Sequence, residues 1–169
     1  IPAKIAPSLA LLPVVVAAPA PARAKEPGLP PPTVAPVDGM YLGAVAAQAI
    51  LAEALAAEHE ARWPTARALY VRVAGGKFGR ETALVGLASI AFQNNESART
   101  IEYARQAMKA GAGDEAQMLL GHGYLKQGRY DDASREYQAI LARRPQERIA
   151  REAARSLGEA QKKRDEGAR

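Results

Sequence analysis

The sequence predicts an all-α protein built from repeated helical hairpins, with about three repeats followed by a C-terminal capping helix. Three observations support this fold class. From residue 38 onward apolar residues recur at helical spacing, and no segment alternates apolar and polar residues as a β-strand would. Small residues recur at intervals of 33 or 34 positions along the same region. Ten of the 12 prolines lie in residues 1–36, so this part of the chain cannot continue the helices.

These observations divide the chain into two parts. Residues 1–37 are predicted to form a Pro/Ala-rich arm without regular structure, and residues 38–169 a helical domain long enough to bury a core. Asp38 is the predicted N-cap of the first helix. Pro64 is predicted to lie in the first turn of the second helix, where a proline is tolerated. Gly75 and Gly76 are predicted to end that helix.

Turn residues bound the next two helices. The third helix is predicted over Glu81–Phe92, and the pair Asn94 and Asn95 forms the turn that follows it. The fourth helix is predicted over Ser97–Ala110, after which Gly111 favours termination.

The fifth and sixth helices form a hairpin with its own boundary residues. Asp114, with Gln117 three positions later, resembles a capping box at the start of the fifth helix. Gly128 separates the fifth helix from the sixth, and Pro145 stops the sixth.

A seventh helix is predicted over about 147–166. One apolar stripe runs along it, while opposite charges recur four positions apart elsewhere, as on a solvated helix face. The stripe consists of Ile149, Ala153, Leu157 and Ala160. We expect this helix to cap the last repeat, whose apolar side would otherwise meet water.

The segment from Gln117 to Pro145 resembles a tetratricopeptide repeat. It matches that signature at six positions, namely Leu120, Gly121, Tyr124, Ala133, Tyr137 and Pro145, and departs from it at the first aromatic, where Gln117 stands. The residues one period before Gly121, Tyr124, Ala133 and Tyr137 are Ala88, Ala91, Thr100 and Ala104. Those two periods before them are Ala54, Ala57, Ala66 and Tyr70. The predicted repeats span about 47–80, 81–113 and 114–147, so the resemblance covers roughly 100 residues. It implies a right-handed α-α superhelix.

The resemblance also implies a concave groove, lined by the first helix of each repeat, that receives a peptide or helix of another protein. Carried over by register, the groove residues are Leu51, Leu55 and His59 from the first repeat, Val85, Ser89, Phe92 and Gln93 from the second, and Met118, His122, Leu125, Lys126 and Arg129 from the third.

One departure from the family narrows the predicted ligand. Members that clamp an acidic C-terminal tail use Lys and Asn on successive first helices, whereas this chain carries Val85, Ser89, Met118 and His122 there. An apolar or amphipathic segment is therefore the expected ligand. Phe92 and Met118 are its expected anchors, and the alternative is that both fill space between repeats.

The predicted function is that of a non-catalytic scaffold or adaptor that binds another protein. The alternative is a permanently bound accessory subunit of a larger complex, periplasmic or membrane-associated, with its arm laid on the partner. The chain has no cysteine, and its two histidines, His59 and His122, are 63 positions apart. We therefore expect no catalytic, cofactor-binding or metal-binding residue.

The charge distribution does not favour a nucleic-acid partner. The net charge is +5, with nine basic and five acidic side chains in residues 143–169. The acidic residues interleave with the basic ones, and no aromatic stacking series or base-reading motif accompanies them.

The arm contains the layout of a secretory signal peptide: Lys4, the apolar run Leu9–Ala18, and the small-x-small triplet Ala22–Ala24. This layout predicts a periplasmic or secreted protein, with a cytoplasmic one as the alternative. A linker from another domain and a retained binding arm are the other interpretations of residues 1–37. The run is too short to span a bilayer and Pro13 interrupts it, so no transmembrane helix is expected.

Overall fold

The computed structural model describes residues 43–167 of the chain, and within that range it contains seven α-helices and no strand. The helices are α1 Ala44–His59, α2 Trp63–Ala74, α3 Arg80–Gln93, α4 Ser97–Lys109, α5 Asp114–Lys126, α6 Tyr130–Ala142 and α7 Glu147–Gly167. The all-helical prediction is confirmed. The Asp38 cap and the Pro/Ala-rich arm lie outside the described residues.

The helix boundaries follow local chemistry. Pro64 occupies the first turn of α2, where the absence of its N–H leaves no hydrogen bond unmade, and Gly75 is the C-cap of that helix. Asn95 adopts a left-handed φ of 60° in the turn between α3 and α4, which asparagine tolerates better than most residues.

The predicted capping box at α5 is wrong. Asp114 is already the first helical residue, Gly113 is the N-cap, and no side chain caps the helix. The side chains of Asp114 and Gln117 instead form hydrogen bonds within the hairpin of α5 and α6. Arg143 donates to the Asp114 carboxylate at 3.0 Å and also to Gln117, whose amide donates to Glu136 at 2.8 Å.

The turns that follow α1, α3 and α5 share one backbone geometry. Ala61, Asn95 and Gly128 have φ values of 56°, 60° and 73°, and they stand 34 and 33 positions apart. In each turn the N–H of the next residue donates to the carbonyl five positions earlier, at 2.8, 2.8 and 2.9 Å. This left-handed helix ending satisfies carbonyls that the helix itself cannot. The repeat seen in the sequence is therefore also present in the backbone.

The seven helices form two layers. Each helix packs on the next, and α1, α3, α5 and α7 also contact one another in series, whereas α2, α4 and α6 make no such contacts within residues 43–167. We call the side of α1, α3, α5 and α7 that faces away from the even-numbered helices the inner face. Gly121, Tyr124, Ala133 and Tyr137 are buried, and so are the eight residues that stand one and two periods before them. The arrangement is a compact, repeat-like helical array.

Glycine allows the closest approach between these helices. A Cβ on Gly121 would lie 2.5 Å from the ring of Tyr137, and one on Gly86 would lie 2.4 Å from the ring of Tyr70. Both tyrosines are buried almost completely. In a core packed this densely the rings have no space into which they could withdraw.

The last helix, α7, packs on α6 and α5 through Ala153, Ser156 and Ala160. Its other sides carry charged residues, several of them in ion pairs one turn apart, such as Glu159 with Lys163 at 2.9 Å. The final helix of the array thus presents a polar surface to solvent.

Candidate functional site

A row of side chains connects the odd-numbered helices along the inner face. Ser89 on α3 donates to the Glu58 carboxylate on α1 at 3.0 Å. The ring of Phe92 on α3 stacks on that of His122 on α5, with centroids 5.3 Å apart. His122 in turn lies 3.4 Å from the Ser156 hydroxyl on α7. These contacts join all four helices, and they bring the predicted residues Ser89, Phe92 and His122 into one line.

Glu58 is a member of this row that the sequence-based prediction missed. Its carboxylate accepts hydrogen bonds from Ser89 and from Tyr70, the latter at 2.8 Å, so it ties α1 to both α2 and α3. Burial, and secondly the bond to Glu58, raise the pKa of Tyr70. The period could have identified this residue, because Glu58, Phe92 and Leu125 stand 34 and 33 positions apart.

An aromatic cluster begins at the middle of the inner face and continues into the core as far as Tyr137 on α6. His122 lies between Phe92 and Tyr137, whose ring centroid is 5.8 Å from that of His122. The Lys126 ammonium lies 5.5 Å from the Phe92 ring centroid and donates to Asn95 at 3.1 Å. Burial lowers the pKa of His122, although Glu152 and Glu159 on α7 oppose that shift. Burial of the imidazole therefore disfavours its protonated form.

The predicted groove residues differ in their exposure. Exposed members are Leu55, His59, Gln93, Lys126 and Arg129, and half-buried members are Leu51, Val85, Ser89, Phe92, His122 and Leu125. Met118 is only 5% exposed and belongs to the core. It therefore fills space between helices, which is the alternative that the sequence left open for it, and it offers no surface to a partner.

Arg129 is held at the end of the site by contacts within the chain. Its guanidinium lies 4.4 Å from the Tyr124 ring centroid and forms an ion pair with Asp132, whose pKa is lowered chiefly by the hydrogen bond from Arg129. It stands in the turn between α5 and α6. Of the predicted cations, Lys126 is the one that contacts the aromatic cluster.

Two further features bear on the binding of small ligands. Within residues 43–167, no group of three or more His, Asp or Glu side chains could hold a metal ion. An open depression of about 610 Å³ lies along α7 and is lined by Glu147, Arg148, Arg151, Glu152 and Arg155. Its lining comes from a single helix and includes none of the predicted groove residues.

A scan against protein-family models finds no match to this chain, and a search of curated proteins finds no significant relative. The helical repeat is therefore supported by the motif in the sequence, the period and the backbone geometry described above. Across residues 43–167 no helix combines the length and the apolar character needed to cross a bilayer.

Proposed function

We propose that this chain is a non-catalytic interaction scaffold that binds a segment of another protein along its inner face. We also propose that its three helical hairpins are tetratricopeptide-like repeats arranged as a right-handed superhelix. One observation carries the proposal: the partly exposed side chains of Leu55, Ser89, Phe92, Leu125 and Lys126 lie on helices that contact one another in series. Such a row can contact an extended or helical segment over several turns.

The chemistry of these five side chains determines which kind of partner segment would fit. Leu55, Phe92 and Leu125 supply apolar surface, and burying such surface is what drives helix-in-groove binding. Lys126 supplies an exposed positive charge beside Phe92. An amphipathic segment with one apolar face and an acidic residue next to it fits this arrangement better than a fully charged tail.

The place of action stays a prediction from the sequence. The signal-peptide layout that favours export falls in residues 1–37, outside the described residues. We propose a periplasmic or secreted scaffold on that pattern alone.

Site-specific photo-cross-linking in the native host tests the proposed binding face. One form of the chain carries a photoreactive side chain at Gln93, which is exposed at the end of α3, and a second carries it at Glu102, which is exposed on α4. Mass spectrometry then identifies the cross-linked segment. We expect an adduct from position 93 and none from position 102. An adduct from position 102 alone would place the partner on the opposite layer and refute the proposal.

A further inference from the structure

Two arginine side chains converge on the Tyr124 ring near the end of α5. Arg105 on α4 donates to the Tyr124 hydroxyl at 2.6 Å, and its guanidinium carbon lies 5.8 Å from the ring centroid. Arg129, in the turn after α5, places its guanidinium carbon 4.4 Å from the same centroid. Two exposed positive charges are therefore held beside one ring. We call Arg105, Tyr124 and Arg129 the Tyr124 cluster.

The fold fixes the positions of these three residues. A Cβ on Gly123 would lie 2.7 Å from the side chain of Ile101, so α4 and α5 approach each other closely one turn before Arg105. The backbone N–H of Arg129 donates to the Tyr124 carbonyl at 2.9 Å, which ties the turn to the end of α5. A site whose groups are already in place loses less conformational freedom when a ligand binds.

The Tyr124 hydroxyl has a hydrogen-bonding capacity that the chain does not use. Tyr124 is only 5% exposed, and its hydroxyl oxygen accepts a hydrogen bond from Arg105. A tyrosine hydroxyl also carries a proton that it can donate. No acceptor for that proton is found among residues 43–167. The hydroxyl can therefore donate to a ligand that lies beside Arg105.

The positive charge at the Tyr124 cluster is only partly compensated. Arg129 shares the Asp132 carboxylate with Arg135, and Arg105 forms no ion pair within the part of the chain that the structure describes. Like charges held in fixed positions repel each other. An anion between Arg105 and Arg129 would relieve that repulsion, and it would still find free N–H donors on Arg129, because a guanidinium has five.

Other acidic residues on the neighbouring helices are engaged elsewhere. Glu102, three positions before Arg105 on α4, accepts a hydrogen bond from Gln106 at 3.3 Å. Asp131 on α6 pairs with Arg164 on α7 at 3.7 Å. The uncompensated charge of Arg105 is therefore available to a negatively charged group from outside the helical array.

We propose that the Tyr124 cluster binds the phosphoryl group of a small soluble molecule, of which inorganic phosphate is the simplest. Guanidinium groups match phosphate oxygens in geometry and charge. A tetrahedral phosphoryl group presents oxygens in several directions, so it can accept from Arg105, Arg129 and the Tyr124 hydroxyl together. A carboxylate has two oxygens in one plane, which suit a single guanidinium. Because Arg105 lies on α4, this site goes beyond the proposed scaffold function and does not depend on it.

An NMR titration of the full chain with inorganic phosphate tests the proposal. Phosphate replaces chloride at constant ionic strength and about pH 8, where a phosphoryl group carries close to two negative charges. We expect the amide signals of Gly128 and Arg129 to shift and saturate with a dissociation constant of about 1 mM, and that of Gly111 to stay in place. Acetate should bind about tenfold more weakly or less. A titration without saturation, or equal affinity for acetate, would overturn the proposal.

Three variants separate a specific site from attraction by net charge. Arg105→Gln should weaken phosphate binding by about tenfold or more, whereas Arg72→Gln makes the same change at an exposed position on α2 and should leave the affinity unchanged. Tyr124→Phe keeps the ring but removes the hydroxyl, and should weaken binding by about threefold or more. Wild-type affinity in Arg105→Gln or Tyr124→Phe would contradict the proposal, and so would equal weakening by Arg72→Gln and Arg105→Gln.

Discussion

The ring of Phe92 on α3 stacks on the ring of His122 on α5, with centroids 5.3 Å apart and planes inclined by 27°. This contact joins the second and third hairpins at the centre of the inner face, and His122 also reaches Ser156 on α7. A positive charge on this imidazole would therefore act where α3, α5 and α7 meet. This position yields a prediction about pH.

The free energy of unfolding should fall as pH drops below about 6.5, the ordinary pKa of histidine. Burial lowers the pKa of His122 in the folded chain, so between the folded and unfolded pKa values the unfolded chain binds a proton that the folded chain does not. The stability that neutral His122 contributes is therefore fully present above the pKa of histidine in the unfolded chain and is lost as pH falls below it. Urea unfolding at about pH 8 and about pH 5 measures the change, and His122→Gln should reduce it.

His59→Gln is the control for this experiment, because His59 is exposed at the end of α1. It should leave the pH dependence of the wild type in place. Equal pH dependence in His122→Gln and the wild type would show that His122 does not couple protonation to folding.

Gly121→Ala should lower the free energy of unfolding by about 1–3 kcal/mol. The added methyl would lie 2.5 Å from the buried ring of Tyr137, which has no room to move. Gly158→Ala is the matched control: it lies in exposed α7 with nothing within 4 Å, and should raise stability by about 0.5–1 kcal/mol. Denaturant titration measures both. Equal effects of the two changes would contradict the close packing of α5 on α6.

The equivalent turns predict two substitutions with opposite effects. Gly128 has a φ of 73° and no atom closer than 3.8 Å to an added Cβ, so Gly128→Ala should destabilise by about 1 kcal/mol through backbone strain alone. Ala61 occupies the same place two hairpins earlier with a φ of 56°, so Ala61→Gly should stabilise the chain. Thermal unfolding of the two variants measures this. A shift of both melting temperatures in the same direction would refute the shared turn geometry.

Much of the fold could be predicted because it depends on short-range patterns. The helices α3, α4 and α5 end within two residues of Asn94, Gly111 and Gly128, the turn residues recognised in the sequence. Every register position from Ala54 to Tyr137 is buried. Both results follow from helical periodicity and from the need for small residues where helices approach closely.

The site was less predictable because it depends on contacts between helices. The sequence left open whether Met118 contacts a partner or fills space between repeats, and its burial decides for the second. Glu58 was missed although it holds three helices together. At α5, Asp114 and Gln117 were expected to cap the helix, but Arg143 lies close enough to engage both. A local motif cannot anticipate a charged partner that is 29 positions away in the sequence.

The most direct test of the binding face is the affinity of the cross-linked partner segment, made as a synthetic peptide, for matched charge variants. Lys126→Glu reverses the charge beside Phe92, whereas Lys109→Glu makes the same change at an exposed position on α4. We expect Lys126→Glu to weaken binding by about tenfold or more, equivalent to at least ~1.4 kcal/mol, and Lys109→Glu to leave it unchanged. Equal affinities of the two variants and the wild type would show that the segment does not bind along the inner face.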